Sequence, residues 1–165
     1  MKLAITGATG FVGQAVLDAV AKTEHVARAL TRREQEPRRG TQWVKGSLEE
    51  PAALEAMIET CHAVIHIAGL TNTPDVREFE RANVVGTQNT IGAAKATGVK
   101  RFVFVSSLSA REPQLSKYGA SKAKAEELVK ASDLDWTIVR PPAVYGPREK
   151  DMYELFRSAK FNFVP

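Results

Sequence analysis

Glycines at 7, 10 and 13 punctuate TGATGFVG (residues 6–13), which directly follows the apolar run KLAIT (2–6) and opens the helical pattern FVGQAVLDAVAK (11–22). A strand that must turn tightly into a helix is the first half of a βαβ unit, and few features restrict a fold more. Gly7 permits the tight turn, Gly10 lets backbone approach a pyrophosphate, and Gly13 lets the helix pack close to the sheet. The helix start then offers unpaired N–H groups and partial positive charge to phosphates. Three glycines also make an unadorned turn; the strand before and the helix after favour a dinucleotide site. The helix over 11–22 is expected to face the core with Phe11, Val12, Ala15, Val16, Ala19 and Val20.

The same alternation runs on through the chain. HVARALT (25–31) and TQWVKG (41–46) read as the second and third strands, and PAALEAMIET (51–60) as a helix opened by Pro51. AVIHIAG (63–69) reads as the fourth strand, followed by a long helix within 76–97. RFVFVSS (101–107) is the fifth strand, 116–131 a helix, and DWTIVR (135–140) the sixth strand. Runs of Val, Ile and Ala without polar alternation predict a mostly parallel sheet covered on both faces, in a doubly wound α/β fold. With 165 residues and neither internal repeat nor linker, the chain reads as one domain. Its last segment, EKDMYELFRSAKFNFVP, is expected to begin a helix and stop.

Several function classes fall away on composition. No apolar run approaches the ~20 residues of a membrane span, and the N-terminus lacks signal-peptide anatomy, so a cytoplasmic address follows by default. Cys61 is the single cysteine, which excludes an internal disulfide framework. Cys61, His62 and His66 lie in a strand with no clustered carboxylate, so strand-end packing is expected and no metal. The net charge of +4 concentrates in Arg28, Arg32, Arg33, Arg38 and Arg39. Without interleaved aromatics or a presenting helix, that cluster reads as a solvated loop or a small-anion site, and nucleic acid is not expected. NAD binders usually carry an acid at the end of the second strand for the ribose 2′-hydroxyl. Here the chain has Thr31, Arg32 and Arg33, and arginine forks onto phosphate, which favours NADP(H) over NAD(H).

In LSKYGASKAKAEE (115–127), Tyr118 and Lys122 stand four apart, on one helix face. Gly119, Ala120, Ser121 and Ala123 around them would leave that face open. The pair is either a solvated one worth a few tenths of a kcal/mol or a proton-handling device.

Taken in order, TGATGFVG, VIHIAG, NVVGT, FVFVSS, YGASK and RPPAVYGP resemble the extended short-chain dehydrogenase/reductase superfamily, in its NAD-dependent epimerase/dehydratase-like branch. The resemblance implies a Rossmann sheet of order 3-2-1-4-5-6. It implies a cofactor site of Gly7, Thr9, Gly10, Phe11, Val12 and Gly13 at the pyrophosphate and Arg32 at the 2′-phosphate. Ser47 and Leu48 would lie near the adenine, Ser47 standing where the family often has an acid. Ala68 and Gly69 would line the nucleotide, Asn83 would be the family's buried asparagine, and Pro141, Ala143 and Val144 would lie by the nicotinamide. Ser107, Tyr118 and Lys122 resemble the catalytic Ser–Tyr–Lys set, with Ser106 and Ser109 as rivals to Ser107.

On that reading the ammonium makes the phenol more acidic than its usual ~10. Lys122 also holds ribose hydroxyls, Ser107 bonds the substrate oxygen, and Tyr118 moves the alcohol proton while hydride moves at the nicotinamide. Leu108 and Ser109 replace the Asp-Glu pair of dehydratases, which leaves carbonyl reduction, alcohol oxidation or epimerisation through a ketone, on a small-molecule carbonyl or alcohol. Family members are much longer, so residues 1–165 read as an NADP(H)-binding domain truncated shortly after the sixth strand, with the C-terminal substrate domain missing and turnover poor. The alternatives are a structural or redox-sensing NADP(H) module and a trimmed scaffold. The helices at 76–97 and 116–131 suggest a homodimer.

Overall fold

Six strands form one sheet in the order β3-β2-β1-β4-β5-β6, every neighbouring pair parallel. The computed structural model describes residues 1–148 and Arg157, and the helix start expected within 149–165 otherwise lies outside them. The strands are β1 (Lys2–Thr6), β2 (Val26–Thr31), β3 (Thr41–Lys45), β4 (Ala63–His66), β5 (Arg101–Val105) and β6 (Asp135–Val139). The helices are α1 (Phe11–Val20), α2 (Pro51–Ile58), α3 (Val76–Phe79), α4 (Gly86–Ala96) and α5 (Lys117–Lys130). A π-helical turn, Glu80–Val85, joins α3 to α4, so the helix expected within 76–97 is one continuous run with a widened turn in its first half. No helix among the described residues is long and apolar enough to cross a membrane.

Register fixes which side chains share a face. Leu3, Ile5, Ala27, Ala29 and Ile65 pack with Leu17 and Val20 of α1. Ala4, Val64, Phe102 and Phe104 point the other way, into a larger core with Leu54, Met57 and Ile58 of α2, Ile91 and Ala94 of α4, and Ala125 and Val129 of α5. Phe102 and Phe104 are wholly buried, each worth about 2–3 kcal/mol.

Two expectations need correction. Of the expected face of α1, Val20 is buried and Val16 packs against the same core, but Ala15 and Ala19 are exposed, and Gly13 and Leu17 are buried in their place. Gly13 is buried because the first turn of α1 sits directly on the loop before it. The sheet is also not covered on both faces throughout. On the α1 side of β5 and β6, Val103 and Val105 are half-buried and Val139 is 44% exposed, with no helix over them among the described residues.

The strands stop earlier than their apolar runs. Ile67 and Ser106 each keep one ladder bond past the strand ends, to Thr6 O and Val139 O, and Ala68, Gly69 and Ser107 then leave the sheet. Those departures build the site.

Candidate active site

The order of the sheet places β1 beside β4, the strands from which the chain winds in opposite directions. In open α/β sheets the carboxyl ends at such a reversal of winding are where ligands bind. Gly7 lies there at φ +70°, where glycine is favoured, and a Cβ on it would come within 2.5 Å of Ala68 N. A Cβ on Gly13 would overlap Gly7 O and the backbone of Ala8. Gly13 therefore brings the helix onto its own loop, rather than onto the sheet as expected. Gly10 caps α1 without a side-chain bond, and Thr9 and Gly10 are exposed at the mouth.

The N–H groups of Phe11, Val12 and Gly13 meet no acceptor among the described residues, and the first turn of α1 holds no acid. Open donors, a bare Gly10 and the positive end of a helix fit a dinucleotide's pyrophosphate.

Around this loop the expected residues divide. Thr31 Oγ1 donates to Arg33 O, folding a tight turn that leaves Arg32 and Arg33 exposed at the end of β2. The rest of the basic cluster is dispersed. Arg28 donates to Ala56 O beneath α2, while Arg38 pairs with Asp18 and Gln14 of α1. Ser47 Oγ donates to Glu50, and Leu48 packs its side chain on Gly86.

Asn83, wholly buried on the π-turn, accepts from Leu70 N–H and donates to Leu70 O and Ser121 Oγ. Its amide pins the segment after β4 to α5. Gly69 fits because Asn83 Oδ1 would lie 2.8 Å from a Cβ there, with Lys122 Nζ 3.7 Å away.

Ser116 opens α5, its Oγ accepting from Gly119 N–H at 2.9 Å. Gly119 packs so closely that a Cβ would come 2.5 Å from Ser109 O, and Ser121 Oγ donates to Tyr118 O. The small residues beside Tyr118 thus let the helix approach the protein's own backbone, which corrects the expectation of an open face.

Lys122 is 3% exposed. Its Nζ donates to Val105 O at 2.9 Å and lies 4.3 Å from the Phe104 ring centroid. Burial lowers its pKa to about 8, and Glu126, one turn on, opposes that fall. Tyr118 is half-buried with its ring 6.2 Å from Phe79, and its hydroxyl takes no hydrogen bond among the described residues.

Ser107 caps a 3₁₀ turn (Leu108–Arg111) by accepting from Ser109 N–H. The rival Ser106 is buried and committed, donating to Glu126 at 2.6 Å. Ser107 lines a cavity of about 590 Å³ with Leu108, Ser109, Leu115, Pro141 and Ala143. Val144 stands 41% exposed and is not part of that lining.

Two buried polar groupings escaped the sequence reading. His66, wholly buried, meets Thr6 Oγ1 through Nδ1 at 2.6 Å and Thr87 Oγ1 through Nε2 at 2.9 Å. Thr87 gives its own proton to Asn83 O, so the network assigns the imidazole proton to Nε2 and makes Nδ1 the acceptor. Burial, with Lys122 nearby, lowers the His66 pKa to about 3, so the ring is neutral. The second grouping is Ser106, Glu126 and Arg140. Only the four-residue step from Lys122 to Glu126, and an arginine closing the sixth apolar run, signalled it in advance.

Residues 7–161 match the family described as NAD(P)H-binding. The chain belongs to that family. It is an NAD(P)-binding Rossmann domain of the NAD-dependent epimerase/dehydratase and short-chain dehydrogenase/reductase superfamily. This NAD(P)H-binding domain is 41% identical to a ceramide reductase of Caulobacter vibrioides, over 95% of the chain and 50% of that protein. It is 30% identical to a 4-hydroxy-2-methyl-3-oxo-4-farnesyl-3,4-dihydroquinoline-1-oxide ketoreductase of Stigmatella aurantiaca, over 99% of the chain and 58% of that protein. Among solved structures it is similar to a short-chain dehydrogenase/reductase superfamily protein of Agrobacterium tumefaciens with bound NAD. There the TM-score is 0.75 and the identity 30%, over 85% of this chain and 48% of that one. The chain thus spans about half the length of the curated relatives it matches.

Proposed function

We propose that the protein is an NADPH-dependent reductase of a ketone borne on a long apolar chain. The reading is supported by Ser107 lining a cavity with Leu108, Leu115, Pro141 and Pro142, and by Tyr118 and the buried Lys122 one turn apart on α5, whose cap Ser116 lines the same cavity. Both reductases named above act on compounds with extended hydrocarbon substituents, and an apolar rim suits such a chain.

Ser107 Oγ is exposed to the cavity and donates to the carbonyl oxygen of the substrate. Tyr118 delivers its phenolic proton to that oxygen as the carbon–oxygen double bond is lost. A dinucleotide held at the loop of Gly7, Gly10 and Gly13 would supply the hydride, and with the proton from Tyr118 the ketone would become a secondary alcohol. Lys122 spends one N–H on Val105 O and keeps its other donors for ribose hydroxyls. Its charge favours the tyrosinate left after proton transfer. Arg32 and Arg33 fit the extra phosphate of NADPH.

Nicotinamide absorbance, followed with long-chain and short-chain β-keto substrates, tests the reading. The expected result is turnover of the long-chain ketone, reduced about 100-fold or more in Tyr118→Phe. Equal rates in that variant would refute the assignment of the proton donor.

A further inference from the structure

We propose that Glu126 is a positioning residue for this site. Its buried carboxylate ties the strand ends that carry Ser107 and Pro141 to the helix that carries Tyr118 and Lys122, and it supplies the counter-charge to the Lys122 ammonium. The proposal rests on reading Ser107, Tyr118 and Lys122 as the reactive set.

Glu126 is 1% exposed. One oxygen accepts from Ser106 Oγ at 2.6 Å and from Arg140 Nε at 2.8 Å, and the other from Arg140 Nη2. Lys130 Nζ stands 3.8 Å away. A carboxylate is costly to bury unless paired and hydrogen-bonded, and the forked arginine meets that need.

The partners are what give the residue its reach. Ser106 directly precedes Ser107, and Arg140 directly precedes the cavity wall of Pro141, Pro142 and Ala143. Beyond the ends of β5 and β6 the two segments stay in register through Ser106 N–H to Val139 O and Leu108 N–H to Pro141 O. Glu126 fastens this pair to α5 one turn from Lys122 and two from Tyr118.

The Glu126 charge serves its ion pair with Arg140, and it also bears on Lys122, whose neighbours from β4, β5 and the π-turn are uncharged. From β5 come the Val105 carbonyl and the Phe104 face, from β4 the neutral His66, and from the π-turn the Asn83 amide near Gly69. On its own helix Lys122 has Tyr118 and Glu126, and Arg140, just past the end of β6, lies behind Glu126. Glu126 is the carboxylate among them, and its field opposes the desolvation that drives the ammonium toward neutrality.

The test labels lysine Cε with ¹³C and follows the Lys122 resonance against pH in the wild-type chain, Glu126→Gln, Glu126→Asp and the double variant Glu126→Gln/Arg140→Met. The Lys122 midpoint is expected to fall by at least about half a pH unit in Glu126→Gln and to stay nearer the wild-type value in Glu126→Asp, which keeps the charge. The double variant removes both buried partners, a change such pairs often tolerate. Because it also removes the Arg140 cation, which lies farther from Lys122 than the carboxylate, its midpoint is expected to fall in the same direction but by less. It serves should the single variant fail to fold. An unchanged midpoint in whichever of the two folds overturns the proposal. Loss of NADPH binding in the wild-type chain would defeat the proposed function and leave this result standing, so the two failures are distinguishable.

Discussion

The Lys122 ammonium lies over the face of Phe104, 4.3 Å from the ring centroid, and donates a hydrogen bond to the Val105 carbonyl. A cation held against an aromatic face keeps some electrostatic favour without water, yet desolvation still lowers its pKa from 10.5 to about 8. The folded pKa is below the unfolded one, so the unfolded chain binds more protons in between. Stability therefore rises with pH across about 8 to 10.5, by up to about 3 kcal/mol. Urea unfolding across that range should show the rise in the wild-type chain and a flatter profile in Lys122→Met.

His66 repeats the sign at acid pH. Its pKa is lowered to about 3 by burial, so below its ordinary value of 6.5 the unfolded state takes up a proton that the native state refuses. Stability is lost as pH falls from 6.5 toward 3, on the order of 4 kcal/mol in all. In His66→Gln the slope between pH 6.5 and 4.5 should be shallower, even though the variant starts from lower stability. Equal slopes would mean the imidazole is not buried as a neutral base.

The loop glycines separate folding from binding. Gly10→Ala meets only Gly7 O, at 3.3 Å, in a backbone conformation alanine adopts freely. The change in stability should stay within about 1 kcal/mol. The added methyl should nonetheless obstruct phosphate and weaken NADPH binding at least tenfold. Gly13→Ala overlaps backbone that has nowhere to go, and thermal unfolding should show a loss of about 3 kcal/mol or more.

Arg32→Asp addresses the choice of dinucleotide. Placing a carboxylate at the end of β2 should weaken NADPH at least about tenfold while NADH is unchanged or improved. Equal losses for both cofactors would assign the residue to general folding.

Much of the fold was legible because parallel strands are written as unbroken apolar runs and the glycine spacing announces the first turn. The run cannot tell where pairing ends, however. Ser106 keeps bonding to Val139 after β5 has formally stopped, as Ile67 does to Thr6 after β4, and Ala68 and Gly69 leave the sheet although they are as apolar as the strand before them. The face of α1 was misread because alanines fit either side of a helix, whereas Gly13 reveals its role only when Gly7 is seen beneath it.

The helix that sets Tyr118 and Lys122 one turn apart was readable because the pair is local, four residues apart. The His66–Thr6–Thr87 and Ser106–Glu126–Arg140 groupings join residues 14 to 60 positions apart. Such pairings depend on strand order and register, which no local pattern encodes.

Titration of the wild-type chain with NADPH, read by heat and by nicotinamide fluorescence, bears most directly on the claim that the loop of Gly7, Gly10 and Gly13 seats a dinucleotide. The account predicts saturable one-site binding with a dissociation constant on the order of micromolar, about −8 kcal/mol, weakened in Gly10→Ala. Neither heat nor a fluorescence change at millimolar NADPH, from a chain shown to be folded, would contradict it.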